Sequence, residues 1–138
     1  HVFIANVNHP LTKLINIQPE ALKDFDFISR EKGSGTRAHM ETFINDHDIQ
    51  PNIIMEMSSN ESIKQAVIAE LGISFVSQHT IASELKNRQL KVLDVIDTPI
   101  NRKWHVVTLN PMSINRSVDL LKDFILNQSE IIISKLLF

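Results

Sequence analysis

Phe27-Ile28-Ser29-Arg30-Glu31-Lys32-Gly33-Ser34-Gly35-Thr36-Arg37 is the stretch whose reading decides the fold. An apolar run over residues 25–29 breaks into a loop holding two of the chain's three glycines. The loop opens a predicted helix over 35–47, with Met40, Phe43 and Ile44 on one face. The order is strand, small-residue turn, helix start. The first N–H groups of a helix have no partner within it and lie at the positive end of its dipole. Such a place suits an anion, and Arg30 and Arg37 bracket it with positive charge. Three readings stand open from these residues: a small-ligand loop, a catalytic phosphate cradle and a plain tight turn.

Downstream, residues 52–57 read as a second strand, apolar as buried parallel strands are. Ser58-Ser59-Asn60-Glu61 starts the next helix, with Ser59 or Asn60 as N-cap and Ile63, Ala66 and Val67 as its apolar stripe. Gly72 falls where a left-handed C-terminal cap belongs. Strands are predicted at 73–77, 90–96 and 104–109, and a short helix at 79–86. A closing helix at 117–127 carries Val118, Leu121 and Ile125 on one face, Leu120 and Phe124 adjacent, before an apolar tail from Ile131. Upstream, residues 2–5 read as a strand, Pro10 marks a turn, and Pro19 starts a short helical turn.

Strands alternating with helices at this spacing predict βαβ units and a mostly parallel sheet flanked by helices. Right-handed crossovers place the strand C-terminal ends on one edge, where open α/β sheets bind ligands. Three turns land there: residues 30–36, 58–60 and 77–79. Ser59 and Asn60 are first of all a helix cap, and Ser77 with His79 reads equally as a capping pair or as part of a cleft. Arg30 and Arg37 have a structural alternative too, pairing with Glu31 or Glu41.

The length of 138 residues fits one domain with a real core. A hydrophobic content of 43% is ordinary for a globular protein, and a formal charge of -2 argues against nucleic-acid binding by bulk charge. There are no cysteines, which excludes disulfide and thiolate chemistry and fits a reducing compartment. No apolar run of about 18 residues predicts a membrane span, and no secretory leader is apparent. The abrupt start at His1-Val2-Phe3-Ile4-Ala5 predicts a fragment of a longer protein. The glycine loop lacks the Gly-Lys-Ser/Thr ending of a P-loop and the third glycine of a dinucleotide fingerprint. None of the six histidines has metal-ligand spacing; only His79 is placed at the ligand edge, and His39 and His47 have no implied carboxylate partner. Neither a metal nor another cofactor is expected, and no nucleophile elbow points to catalysis. Trp104 reads as a packing residue.

Five motifs in register carry a resemblance: His9-Pro10-Leu11; Arg30-Glu31-Lys32-Gly33-Ser34-Gly35-Thr36-Arg37; Ser59-Asn60-Glu61-Ser62-Ile63-Lys64-Gln65-Ala66-Val67; Leu71-Gly72-Ile73 with Ser77 and His79; and Trp104-His105-Val106-Val107. Together they resemble the effector-binding (substrate-binding) domain of LysR-type transcriptional regulators, in the subgroup controlling carbon-fixation operons. The resemblance implies an α/β fold like the type 2 periplasmic binding proteins, with two subdomains joined by crossing strands and a ligand cleft between them. It assigns residues 1–15 to a crossing strand from subdomain I, 16–98 to subdomain II, and 99–138 to the return crossing and last helix of an incomplete subdomain I. It places Ser34, Gly35, Thr36, Ser59, Asn60, Ser77 and His79 around a small effector, and the charges of Arg30 and Arg37 beside the helix end point to an effector bearing phosphate or carboxylate. The implied parent is a cytoplasmic, oligomeric, non-enzymatic regulator that meets DNA only through an N-terminal helix-turn-helix absent from this sequence. Apolar surface left by the absent half predicts self-association through the first strand, the closing helix or the tail. A solute-binding protein fragment of the same fold is the alternative, and a phosphate-handling enzyme the third.

Overall fold

A computed structural model describes residues 1–107 and 116–136. It divides into two units, His1–Asn101 and Arg102–Phe138.

In the first unit, β1 (Val2–Asn6) is buried along its whole length. Its alternating side chains enter two different cores: Phe3 and Ala5 one, Val2 and Ile4 the other. That period of two, with both faces apolar, marks a strand covered on both sides. β1 pairs antiparallel with β4 (Ile73–Val76) on one side and with β5 (Leu90–Val92) on the other. β2 (Asp26–Arg30) pairs in parallel with β4 and with β3 (Asn52–Met57), giving the order β3-β2-β4-β1-β5.

Helix α1 (Gly35–Asp46) covers the face built on Phe3 and Phe75. The Phe3 ring lies 4.9 Å from Phe75, 5.1 Å from Phe43 and 6.1 Å from Phe27, centroid to centroid. Helices α2 (Asn60–Ile68) and α3 (Ala82–Lys86) contribute Ile63, Ala66, Val67 and Leu85 to the opposite face. Burying each large apolar side chain stabilises the fold by roughly 1.5–3 kcal/mol before entropy is counted. Lys64 crosses from α2 to Glu84 of α3 at 2.8 Å and to Glu61 at 2.7 Å. Burial opposes its charge, but these two hydrogen bonds outweigh it and raise its pKa.

All three helices close in the same way. The N–H of Ile49, Leu71 and Gln89 reaches back to the carbonyl of Ile44, Ala66 and Glu84, at 2.9, 3.1 and 2.9 Å. The residue before each sits at positive φ: Asp48 (50°), Glu70 (63°) and Arg88 (54°). These are Schellman closures made without glycine. The cap of α2 is therefore Glu70, two residues before the expected Gly72. Gly72 is required for another reason: a Cβ there would sit 2.5 Å from the Asp26 carbonyl oxygen.

Strand β3 is an edge strand with Ile53 and Ile54 exposed, so its apolar run does not mark full burial. The strand expected at 90–96 keeps only Leu90–Val92, followed by an isolated parallel bridge from Val95 to Ile17. The short helix expected at 79–86 divides into a 3-10 turn (Gln78–Ile81) and α3. Residues 10–13 and 19–24 also form 3-10 turns.

In the second unit, residues 104–107 form no strand, and Trp104 is 81% exposed rather than packed. A strand exists only against a ladder partner, and these residues have none among the described residues; the rest of that expected strand lies outside them. The closing helix, α4 (Arg116–Leu136), is longer than expected and takes in most of the apolar tail. Leu120, Leu121, Phe124 and Leu126 are more than half exposed on it.

Candidate functional site

Strands β2, β3 and β4 run parallel, so their C-terminal ends share one edge. The three turns anticipated from the sequence follow those ends.

The first turn is folded by its own backbone. Glu31 N–H donates to the Met57 carbonyl at 3.1 Å, and Ser34 N–H to the Glu31 carbonyl at 3.2 Å. Gly33, at φ +91°, takes the conformation that lets the chain reverse here. Ser34 is the N-cap of α1, extended in backbone, and its hydroxyl makes no capping bond. Gly35 and Thr36 follow as the first helical residues, and no acidic side chain lies in that first turn.

Arg30 and Arg37 are engaged within the protein. Arg30 donates to both carboxylate oxygens of Glu31, at 2.7 and 2.9 Å, and to the Asn60 side-chain oxygen at 2.7 Å. That fork holds Glu31 below the usual carboxylate range and ties the first turn to the second. Arg37 is buried; it bonds the Arg30 carbonyl at 3.0 Å, Glu41 at 2.8 Å and Glu56 of β3. The Arg37 hydrogen bond lowers Glu56 in turn. The two arginines thus brace the turn, the structural alternative left open above. Glu56 and the Arg30–Asn60 link were not legible, because both join residues distant in sequence.

The second turn is capped internally. Ser59 accepts from the N–H groups of Glu61 and Ser62, at 3.2 and 3.4 Å. In the third, Ser77 makes no side-chain capping bond while Thr80 donates to its carbonyl at 2.7 Å; His79 is exposed on the 3-10 turn beyond.

One further residue joins this edge. β1 runs against its neighbours, so its first end lies where the others finish. His1 is placed there, its Nε2 3.3 Å from the Thr36 hydroxyl and its ring stacked on Phe75 at 5.4 Å. His79 is therefore not the sole histidine of the edge; the antiparallel course of β1 was the missing signal. His47 also has a carboxylate partner, Asp97, at 3.0 Å. Among the described residues no group of three or more His, Asp or Glu could hold a metal ion.

The first turn thus presents the start of α1 with no side-chain cap from Ser34, and two arginines brace the loop behind it. The model of the LysR substrate binding domain matches residues 1–130. The chain belongs to this family. It is 44% identical, over 91% of its length, to the HTH-type transcriptional regulator CbbR of Sinorhizobium medicae, of which it covers 41%. It is likewise 44% identical, over 77% of its length, to the RuBisCO operon transcriptional regulator of Acidithiobacillus ferrooxidans, covering 34% of that protein. The chain thus spans well under half the length of these relatives. Among solved structures it is similar to the regulatory domain of Synechocystis CcmR in complex with 2-PG. The TM-score is 0.83 and the identity 40%, covering 89% of this chain and 59% of that one. The LysR effector-domain fold, like the type 2 periplasmic binding proteins, is the fold of this chain. Among the described residues no helix is long and apolar enough to cross a membrane.

Proposed function

We propose that this chain is the sensing part of a DNA-binding transcription regulator and that it binds a small dianion or trianion at the start of α1. One observation carries the reading: Ser34 leaves the positive end of α1 uncapped at the sheet edge where ligands of this fold class bind. The similarity to a regulatory domain in complex with 2-PG supports a ligand carrying phosphate and carboxylate, of the class of 2-phosphoglycolate. In this reading the N–H groups of residues 35–37 and the hydroxyls of Ser34, Thr36 and Ser77 take the anion. Arg30 and Arg37 position the turn, Asn60 is the far anchor of Arg30, and Ser59 holds α2 in place. His79 stands at the rim.

Residues 1–15 and 99–138 would then be the crossing segments and last helix of a second subdomain, whose remainder supplies the facing wall. Ligand closes the two walls, and differential affinity for the closed form shifts the regulator's conformation on DNA. DNA contact through a separate helix-turn-helix, homo-oligomeric assembly, lack of catalysis and a cytoplasmic site of action belong to the same proposal. The relatives' names as transcriptional regulators favour it over a solute-binding protein. Calorimetric titration of the native protein with 2-phosphoglycolate tests it. Binding that weakens in Thr36→Ala and Ser77→Ala, with DNA binding retained, is expected; unchanged titrations in both variants would remove these residues from the site.

A further inference from the structure

The other end of α1 holds a second arrangement. His47 caps the helix C-terminus, its ring 4.3 Å from that of Phe43. Nδ1 lies 2.8 Å from the Phe43 carbonyl oxygen and Nε2 lies 3.0 Å from Oδ2 of Asp97. A carbonyl oxygen only accepts, and an ionised carboxylate only accepts. A neutral imidazole carries one N–H, so either tautomer leaves one nitrogen lone pair facing an oxygen. The imidazolium donates at both places.

The surroundings favour the same form. Asp46 and Asp97 line a groove of about 450 Å³ with His39, Thr42, Phe43 and Ile100. Glu20, on the 3-10 turn at residues 19–24, adds negative charge, and the last turn of α1 presents the negative end of its dipole. The Asp97 hydrogen bond, followed by that to the Phe43 carbonyl, raises His47 above the ordinary imidazole pKa. Asp97 is 67% exposed at its side chain, so water and protons reach the pair.

Asp97 belongs to the segment that leaves the sheet. It sits at φ +64° after Val95. Thr98 N–H and hydroxyl return to the Val95 carbonyl at 3.2 and 2.7 Å, and Ile100 and His1 exchange backbone bonds at 2.9 and 2.7 Å. In the reading above, these are the two crossing segments side by side.

We propose that His47, held as an imidazolium, latches the return segment at Asp97 to the C-terminal end of α1, so that ligand response follows proton concentration. The proposal rests on the sensing role of the helix's other end. α1 then carries anion at its start and the latch at its finish. Because His47 is raised in the folded state, its proton-linked stability is complete below its unfolded pKa of about 6.5 and is lost as pH rises through the folded value.

Three readouts on the native protein test this, with His47→Gln and Asp97→Asn as variants. Ring 15N shifts of labelled histidine are expected to show both His47 nitrogens protonated at pH 6. The wild-type melting temperature is expected to exceed that of His47→Gln by about 2–4 °C at pH 6, the gap closing as pH rises. Affinity for 2-phosphoglycolate is expected to change severalfold between pH 6 and 8.5, with a component absent from both variants. The ligand's second phosphate ionisation, near 6, falls in the same window, so the difference between proteins is what reads the latch. A neutral His47 ring at pH 6, or a pH dependence identical in all three proteins, would overturn the proposal. No binding by wild type at any pH would overturn the sensing role and the coupling together, while the ring shifts judge the latch separately.

Discussion

Helices α1 and α2 begin on the same sheet edge, each after a parallel strand and each behind a serine. They treat that serine differently. At α2, Ser59 accepts from two backbone N–H groups and Glu61 adds a negative charge in the first turn. The positive helix end is answered within the chain. At α1, Ser34 makes no capping bond and the first turn has no acid. Instead the charged residues around it are spent on shape: Arg30 on Glu31 and Asn60, Arg37 on Glu41 and Glu56. The two helix starts thus differ: one is capped by its serine, and the other has no side-chain cap and, in the proposed reading, takes the anion.

The largest test of that difference adds charge. Ser34→Asp places a carboxylate where the anion is expected. Charges about 4 Å apart repel by ~1–4 kcal/mol between water-like and surface dielectric, so affinity for 2-phosphoglycolate in calorimetry is expected to fall about fivefold to several-hundredfold. The same substitution supplies a cap, and thermal melting without ligand is expected to rise. Ser59→Asp exchanges one good cap for another and is expected to move neither quantity appreciably.

Next in size is Thr36→Ala, which removes one hydroxyl donor to a charged ligand. A loss of about 1.5–3 kcal/mol of binding is expected, roughly ten- to a hundredfold, with melting little changed. Ser59→Ala reverses the pattern: about 1 kcal/mol less stable in urea titration, with binding by the folded protein retained. Ser34→Ala is expected to leave stability within about 0.5 kcal/mol, since no capping bond is lost. A stability cost at Ser34 equal to that at Ser59 would erase the distinction.

The sequence made α1 and α2 legible because each combines an apolar period with a start signal, the small-residue turn at Gly33-Ser34-Gly35 or the cap at Ser59, and the parallel strands because apolar runs precede both. The shared edge of the three turns followed from topology alone. What was hidden has two causes. Schellman closures at Glu70 and Arg88 use residue types with no left-handed preference, and that at Asp48 one with only a weak preference, so the glycine that attracted attention, Gly72, was given the wrong role. Partnerships across the fold leave no local trace: Arg37 with Glu56, His47 with Asp97 fifty residues on, and His1 with Thr36. Residues 104–107 of the strand expected at Trp104 have the right residue types but form no strand among the described residues, since residue type alone supplies no ladder partner.

Amide chemical shifts report, position by position, which helix start receives the anion. With 2-phosphoglycolate added to 15N-labelled native protein, the largest shifts are expected at the amides of Gly35, Thr36 and Arg37, with those of Glu61 and Ser62 nearly still. Shifts centred on Glu61 and Ser62, or none at residues 34–37 at saturating ligand, would contradict it.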